Sequence, residues 1–156
     1  MIETILVATD GSDDGSAAER MGIAFAARLR ARLSGITVVE DRLVRSPGDS
    51  GLSLPAFPEA DLSAYYRARA DGLARRFSER ARAEGLEASC EVAQGTADDR
   101  IVERAQEKDL LLIGRDDRPA DRKGALIGST TEAVIRKTGK PTIVVPSGGP
   151  VSGPIV

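Results

Sequence analysis

Short apolar runs alternate along this chain with longer stretches whose apolar residues recur at helical spacing. Thr4–Ala8 (TILVA), Ile36–Val39 (ITVV) and Leu110–Ile113 (LLLI) are continuous apolar runs, as expected of strands covered on both faces. Leu86–Ala93 alternates instead, with Ala88, Cys90 and Val92 on one face and Glu87, Ser89 and Glu91 on the other. That pattern predicts a strand nearer a sheet edge. Thr142–Val145 is the fifth run. The order β-α-β-α-β-α-β-α-β predicts an α/β fold, a doubly wound parallel sheet with helices on both faces. At 156 residues this is one domain. Its expected bounds are 1–146, followed by a Gly/Pro-rich tail at 147–156.

The helical stretches carry their own start and stop signals. Ala17, Met21, Phe25, Leu29 and Leu33 form one stripe, with Ser16 and Glu19 spaced as a capping box and Gly35 as the stop. Leu62, Tyr66, Ala70, Leu73, Phe77 and Ala81 line a second helix, stopped by Gly85. Thr96 and Asp99 begin a third, with Ile101, Val102 and Ala105 inward. Ser129 and Glu132 give another capping box, with Val134 and Ile135 facing in and Gly139 and Pro141 ending the helix. Arg45–Asp61 has three prolines and no periodicity, which predicts a long loop.

Composition removes several function classes. Histidine is absent, which excludes Ser-His-Asp and Cys-His catalysis and removes the commonest zinc ligand. The net charge is −2, from 22 basic and 24 acidic residues that are interspersed, so no overall field recruits nucleic acid or an anionic membrane. Aromatic residues are 3% of the chain and tryptophan is absent, which argues against a stacking platform for single strands. The single cysteine, Cys90, reads as a small core residue and fits a reducing compartment. With no signal-peptide pattern and no run approaching the ~20 apolar residues of a membrane span, the expected location is the cytoplasm.

In doubly wound sheets ligands lie beyond the carboxyl ends of the strands, where the winding reverses. Two places there could carry chemistry. Asp10, after the first strand, can accept hydrogen bonds from a ribose hydroxyl or an adenine amino group, or can simply shape the turn into the helix. Gly128-Ser129-Thr130 opens a helix whose free N–H groups suit an anion, with two hydroxyls as further donors. A capping box from Ser129 to Glu132 needs no ligand, so both readings of this helix start stay open.

The segments ILVATDGS (Ile5–Ser12), DLLLIG (Asp109–Gly114) and LIGSTTEAVIRKTGKPTIVVP (Leu126–Pro146) resemble the universal stress protein family. The resemblance runs in order along nearly the whole chain, specific at its ends and fitting only by pattern in the middle. It implies a five-stranded sheet of order 3-2-1-4-5, of the Rossmann-like adenine-nucleotide-binding type. It also implies a homodimer, here joined through the fifth strand. Members that bind ATP carry a signature G-x2-G-x9-G-[ST] after the fourth strand. Gly114 matches its first glycine, and Gly128 with Ser129 matches its last pair. The middle departs: Asp117 stands at the second glycine, and the loop is one residue longer.

The resemblance further assigns Asp10 to the adenosine contact and Val38 to the adenine neighbour, with Ile113 preceding the first glycine on the other side. The implied binding set is Asp10, Val38, Ile113, Gly114, Arg115, Gly128, Ser129 and Thr130. Asp116 and Asp117 bring negative charge toward a polyphosphate, which Arg115, Arg118, Arg122, Lys123 or a Mg2+ ion could offset. The expected function is regulatory binding of ATP or another adenine nucleotide. The alternatives are an interaction protein of the same fold that has lost the nucleotide, and a slow ATPase in which Asp116, Asp117 or Asp121 would have to act as base.

Overall fold

The computed structural model describes residues 1–41, 59–115 and 127–148. Nine elements follow in order: β1 (Thr4–Ala8), α1 (Asp13–Leu29), β2 (Arg32–Glu40), α2 (Glu59–Ala83), β3 (Ala88–Gly95), α3 (Ala97–Ala105), β4 (Leu110–Gly114), α4 (Ser129–Lys137) and β5 (Thr142–Val145). The five strands are parallel and form one sheet of order β3-β2-β1-β4-β5, as the resemblance implies.

Period-two alternation divides the central strands between two cores. Ile5, Val7, Leu110 and Leu112 pack with Ala18, Ile23 and Ala26 of α1 and Phe77 and Ala81 of α2. Leu6, Ala8, Leu111 and Ile113 pack on the opposite face with Ile101 and Ala105 of α3 and Val134 of α4. The connections from β1 to β2 and from β4 to β5 thus lie on opposite faces, and the winding reverses between β1 and β4. Asp109 ties these two strands at their amino ends: its Oδ2 accepts from the N–H of Glu3, the N–H of Thr4 and the Thr4 hydroxyl, each at 2.9 Å.

Several element bounds differ from the sequence expectation. α1 is capped by Ser12, whose hydroxyl accepts from the Gly15 N–H at 3.0 Å, not by Ser16. The helix ends at Leu29, with Arg30 left-handed at φ 55°. Leu33 and Gly35 therefore belong to β2, where Leu33 pairs with Ile5 and Gly35 with Val7. Leu33 continues the four-residue spacing because its side chain enters the same core as α1. Gly35 is no helix stop. A Cβ there would lie 2.9 Å from Cys90 Sγ and 3.0 Å from the Phe77 ring, so glycine lets α2 approach the sheet.

α4 is likewise capped by Gly128, with no side-chain hydrogen bond, so the Ser129–Glu132 capping box does not form. Glu132 pairs with Arg136 instead. Thr131 and Val134 set the buried face, which leaves Ile135 41% exposed rather than inward. The long loop loses its last residues to α2, which begins at Glu59; residues 42–58 lie outside the described residues. So do 116–126, including Asp116, Asp117, Arg118, Asp121, Arg122 and Lys123, and most of the expected tail.

Candidate functional site

A cleft of about 420 Å3 lies beyond the carboxyl ends of β1, β2 and β4, walled by α2 and by the starts of α3 and α4. Its rim begins where β1 runs into α1. The Thr9 N–H donates to the Ile36 carbonyl, which keeps β1 paired with β2 to its last residue. Asp10 then projects exposed, and its Oδ1 accepts from the Ser12 N–H at 2.9 Å. One oxygen thus shapes the turn, while Oδ2 has no partner among the described residues. Gly11 follows at φ +80°, and a Cβ there would lie 2.7 Å from Leu73 Cδ2.

The Thr9 side chain points down, away from this rim. Its hydroxyl donates to Glu19 Oε1 at 2.5 Å, and Glu19 Oε2 receives Arg80 of α2. A carboxylate only 2% exposed is costly unless paired, and these two partners lock the end of β1 to α1 and α2. Burial, followed by the charges of Glu19 and Glu91, pushes the nearby Cys90 thiol up to about 12. Its thiolate is scarce at neutral pH, which fits the structural role read from sequence.

The opposite wall is made by β4 and α4. Ile113 and Gly114 end the strand, and the Thr131 hydroxyl donates to the Gly114 carbonyl at 2.7 Å. The Gly128 N–H donates to the Arg115 carbonyl at 2.8 Å, which turns the start of α4 toward the cleft. The first intrahelical bond runs from Glu132 N–H to the Gly128 carbonyl. No side chain among the described residues caps this helix, so its first N–H groups are available to an anion at the positive end of the dipole. α1, by contrast, is closed by Ser12.

Of the eight residues expected at a binding site, six line this one cleft: Asp10, Val38, Ile113, Gly114, Gly128 and Thr130. Arg115 and Ser129 do not. Arg115 runs toward buried Asp14, its Nε 3.8 Å from Asp14 Oδ2 and itself buried without a hydrogen-bond partner among the described residues. Ser129 is exposed at the helix start. The cleft also contains Tyr66, Arg69, Ala70 and Leu73 of α2 and Ala97 and Ile101 of α3. Tyr66, Ala70 and Leu73 were visible only as a helix stripe. Arg69 carried no sequence signal, since an arginine on a helix is ordinarily a solvated face.

Chemically, the cleft offers apolar walls at Val38, Ile36 and Ile113, a carboxylate at Asp10, and an open helix start at Gly128 and Thr130. That set suits a planar apolar group, a hydroxyl or amino donor, and an anion. No group of three or more metal-ligating side chains occurs among the described residues. No helix among them is long and apolar enough to cross a membrane.

Comparison with known proteins gives the same fold throughout. The profile of the universal stress protein family matches residues 1–146. No curated protein sequence matches the chain. Among solved structures, universal stress protein UspA from Lactobacillus plantarum is 25% identical, with TM-score 0.75, over 92% of this chain and 97% of that one. A universal stress protein in complex with cAMP is 24% identical, with TM-score 0.62, over 94% and 98%. A family protein from Arabidopsis thaliana with AMP bound is 13% identical, with TM-score 0.63, over 94% and 93%.

Proposed function

The chain belongs to the universal stress protein family, and on that footing we propose that it is a regulatory protein binding an adenine nucleotide in the cleft described above. The observation that carries this reading is convergence: Asp10, Val38, Ile113 and the start of α4 meet in one cavity although they come from three separate elements and the turn after β1. The base lies between Val38 and Ile113, Asp10 accepts from the ribose or the amino group, and the first N–H groups of α4 with the Thr130 hydroxyl offer donors to phosphate, which Gly128 lets come close. Two proteins of the same fold that hold cAMP and AMP support the ligand class. The protein acts in the cytoplasm as a homodimer.

A triphosphate is the harder ligand. Asp117 replaces the signature's second glycine, and the loop carries one extra residue. Weak ATP binding that depends on Mg2+, with AMP preferred, is the reading this favours. The same departure supports the second reading, an interaction protein of this fold without nucleotide. The nucleotide content of freshly purified protein separates the two: denaturation followed by ion-pair chromatography releases an adenine nucleotide under the first reading and none under the second.

A further inference from the structure

A second, shallower groove of about 360 Å3 runs along α2 beside the cleft, and Gly11 and Arg69 line both. Arg75 and Arg76 flank it, and Glu79 is the one carboxylate in its lining among the described residues. Other arginines of α2 are engaged: Arg80 pairs with Glu19, and Arg67 donates to Gln94 Oε1. Arg69, Arg75 and Arg76 are exposed and make no hydrogen bond or ion pair with any described residue.

Gly72 gives the groove its depth. Glycine inside a helix is destabilising relative to alanine, and a packing requirement ordinarily explains it. Here the described residues impose no such requirement, since a Cβ at Gly72 would meet none of them within 4 Å. The glycine leaves open space between arginines placed three and four positions away along the same helix, where side chains are neighbours. Arginine presents a planar fork of donors that matches phosphate oxygens.

We propose that this groove is a binding site for a phosphoryl group, formed by Arg69, Arg75 and Arg76 over Gly72 and continuous with the cleft through Gly11. The phosphoryl group belongs either to a nucleotide whose adenosine occupies the cleft or to a free polyphosphate; the first source rests on the proposed function, the second does not.

Calorimetric titration with adenosine, ATP and inorganic pyrophosphate tests this on the wild type and on the double variant Arg75→Gln, Arg76→Gln. These two arginines line the groove and not the cleft, so adenosine affinity stays at the wild-type value. ATP binds the wild type at least tenfold more tightly than adenosine, the gap closes in the variant, and pyrophosphate binding is lost with it. A Gly72→Leu variant, which fills the groove without meeting another atom at Cβ, reproduces the loss with a melting temperature no lower than that of the wild type. Pyrophosphate bound by the wild type and lost in the variant, with no adenosine binding in either, keeps the groove and overturns the nucleotide reading of the cleft. A gap between ATP and adenosine that survives in the variant, or a wild type that binds neither ATP nor pyrophosphate, overturns the groove.

Discussion

Gly114 stands where the family signature has its first glycine, yet its immediate neighbour is protein. A Cβ at this buried position would lie 2.7 Å from both the Asp14 carbonyl carbon and the Gly15 nitrogen, so the end of β4 touches the backbone of α1. Both groups are backbone, and neither can rotate away. Gly114→Ala is expected to destabilise the protein by about 1–3 kcal/mol, the usual cost of overpacking, in urea denaturation without any nucleotide. An unchanged midpoint would show that the glycine serves a ligand alone. Asp10 has a comparable double role, since one oxygen closes the turn onto Ser12 while the other is open to the cleft. Both residues were readable from sequence as site candidates, but their packing and turn duties were not. The first needs the position of α1 against β4, and the second a choice between two ordinary uses of aspartate.

α3 and α4 are held together at their ends by Lys137, whose Nζ donates to Asp98 Oδ2 at 2.5 Å and to Asp99 Oδ1 at 2.7 Å. The Lys137 hydrogen bond holds the Asp98 carboxyl below its ordinary 3.8, and the same bond raises the Lys137 ammonium above its ordinary 10.5. A lowered carboxyl favours the native state above the unfolded value and loses that contribution as pH falls through the folded one. A raised ammonium contributes below its unfolded value and loses its share as pH rises through the folded one. Between these limits the clamp is complete. The melting temperature of wild type is expected to fall more steeply than that of Lys137→Met as pH drops from about 5 to about 3, below the carboxylate range. Parallel curves would mean that the clamp contributes nothing.

The loop between β4 and α4 adds a charge argument. Two unit charges about 4 Å apart interact by ~1 kcal/mol in water and ~4 kcal/mol at an effective dielectric near 20. Asp117→Gly with one loop residue deleted is therefore expected to strengthen ATP binding at least tenfold, or ~1.4 kcal/mol. Tight ATP binding by wild type without Mg2+ would refute this. Elements as such were readable because each apolar run is bounded by turn residues. Their ends were less so. Leu33 keeps helical spacing while belonging to β2, and Ser129 looks like a cap although Gly128 holds that place. Local spacing cannot distinguish a helix residue from a strand residue that enters the same core.

The sheet order leaves β3 and β5 as edges. β3 is guarded by charge: Glu91 is exposed and pairs with Arg104, and exposed Glu87 precedes the strand. β5, with sequence TIVV, carries none. An uncharged apolar edge invites pairing, so a homodimer joined through β5 is expected, and light scattering at high micromolar concentration should give twice the chain mass. A monomer there would end the idea. Fold and family followed from the sequence because alternation and terminal motifs are properties of the chain. The α2 wall of the cleft did not, because it depends on how far the helix leans over the sheet. Calorimetric titration of AMP into wild type and Asp10→Ala bears on the whole reading at once. Wild type should bind, and the variant should bind more weakly by ~1.5–3 kcal/mol, the value of a hydrogen bond to a charged group. No heat of binding with wild type, or equal affinity in two folded proteins, would refute an adenine nucleotide held at Asp10.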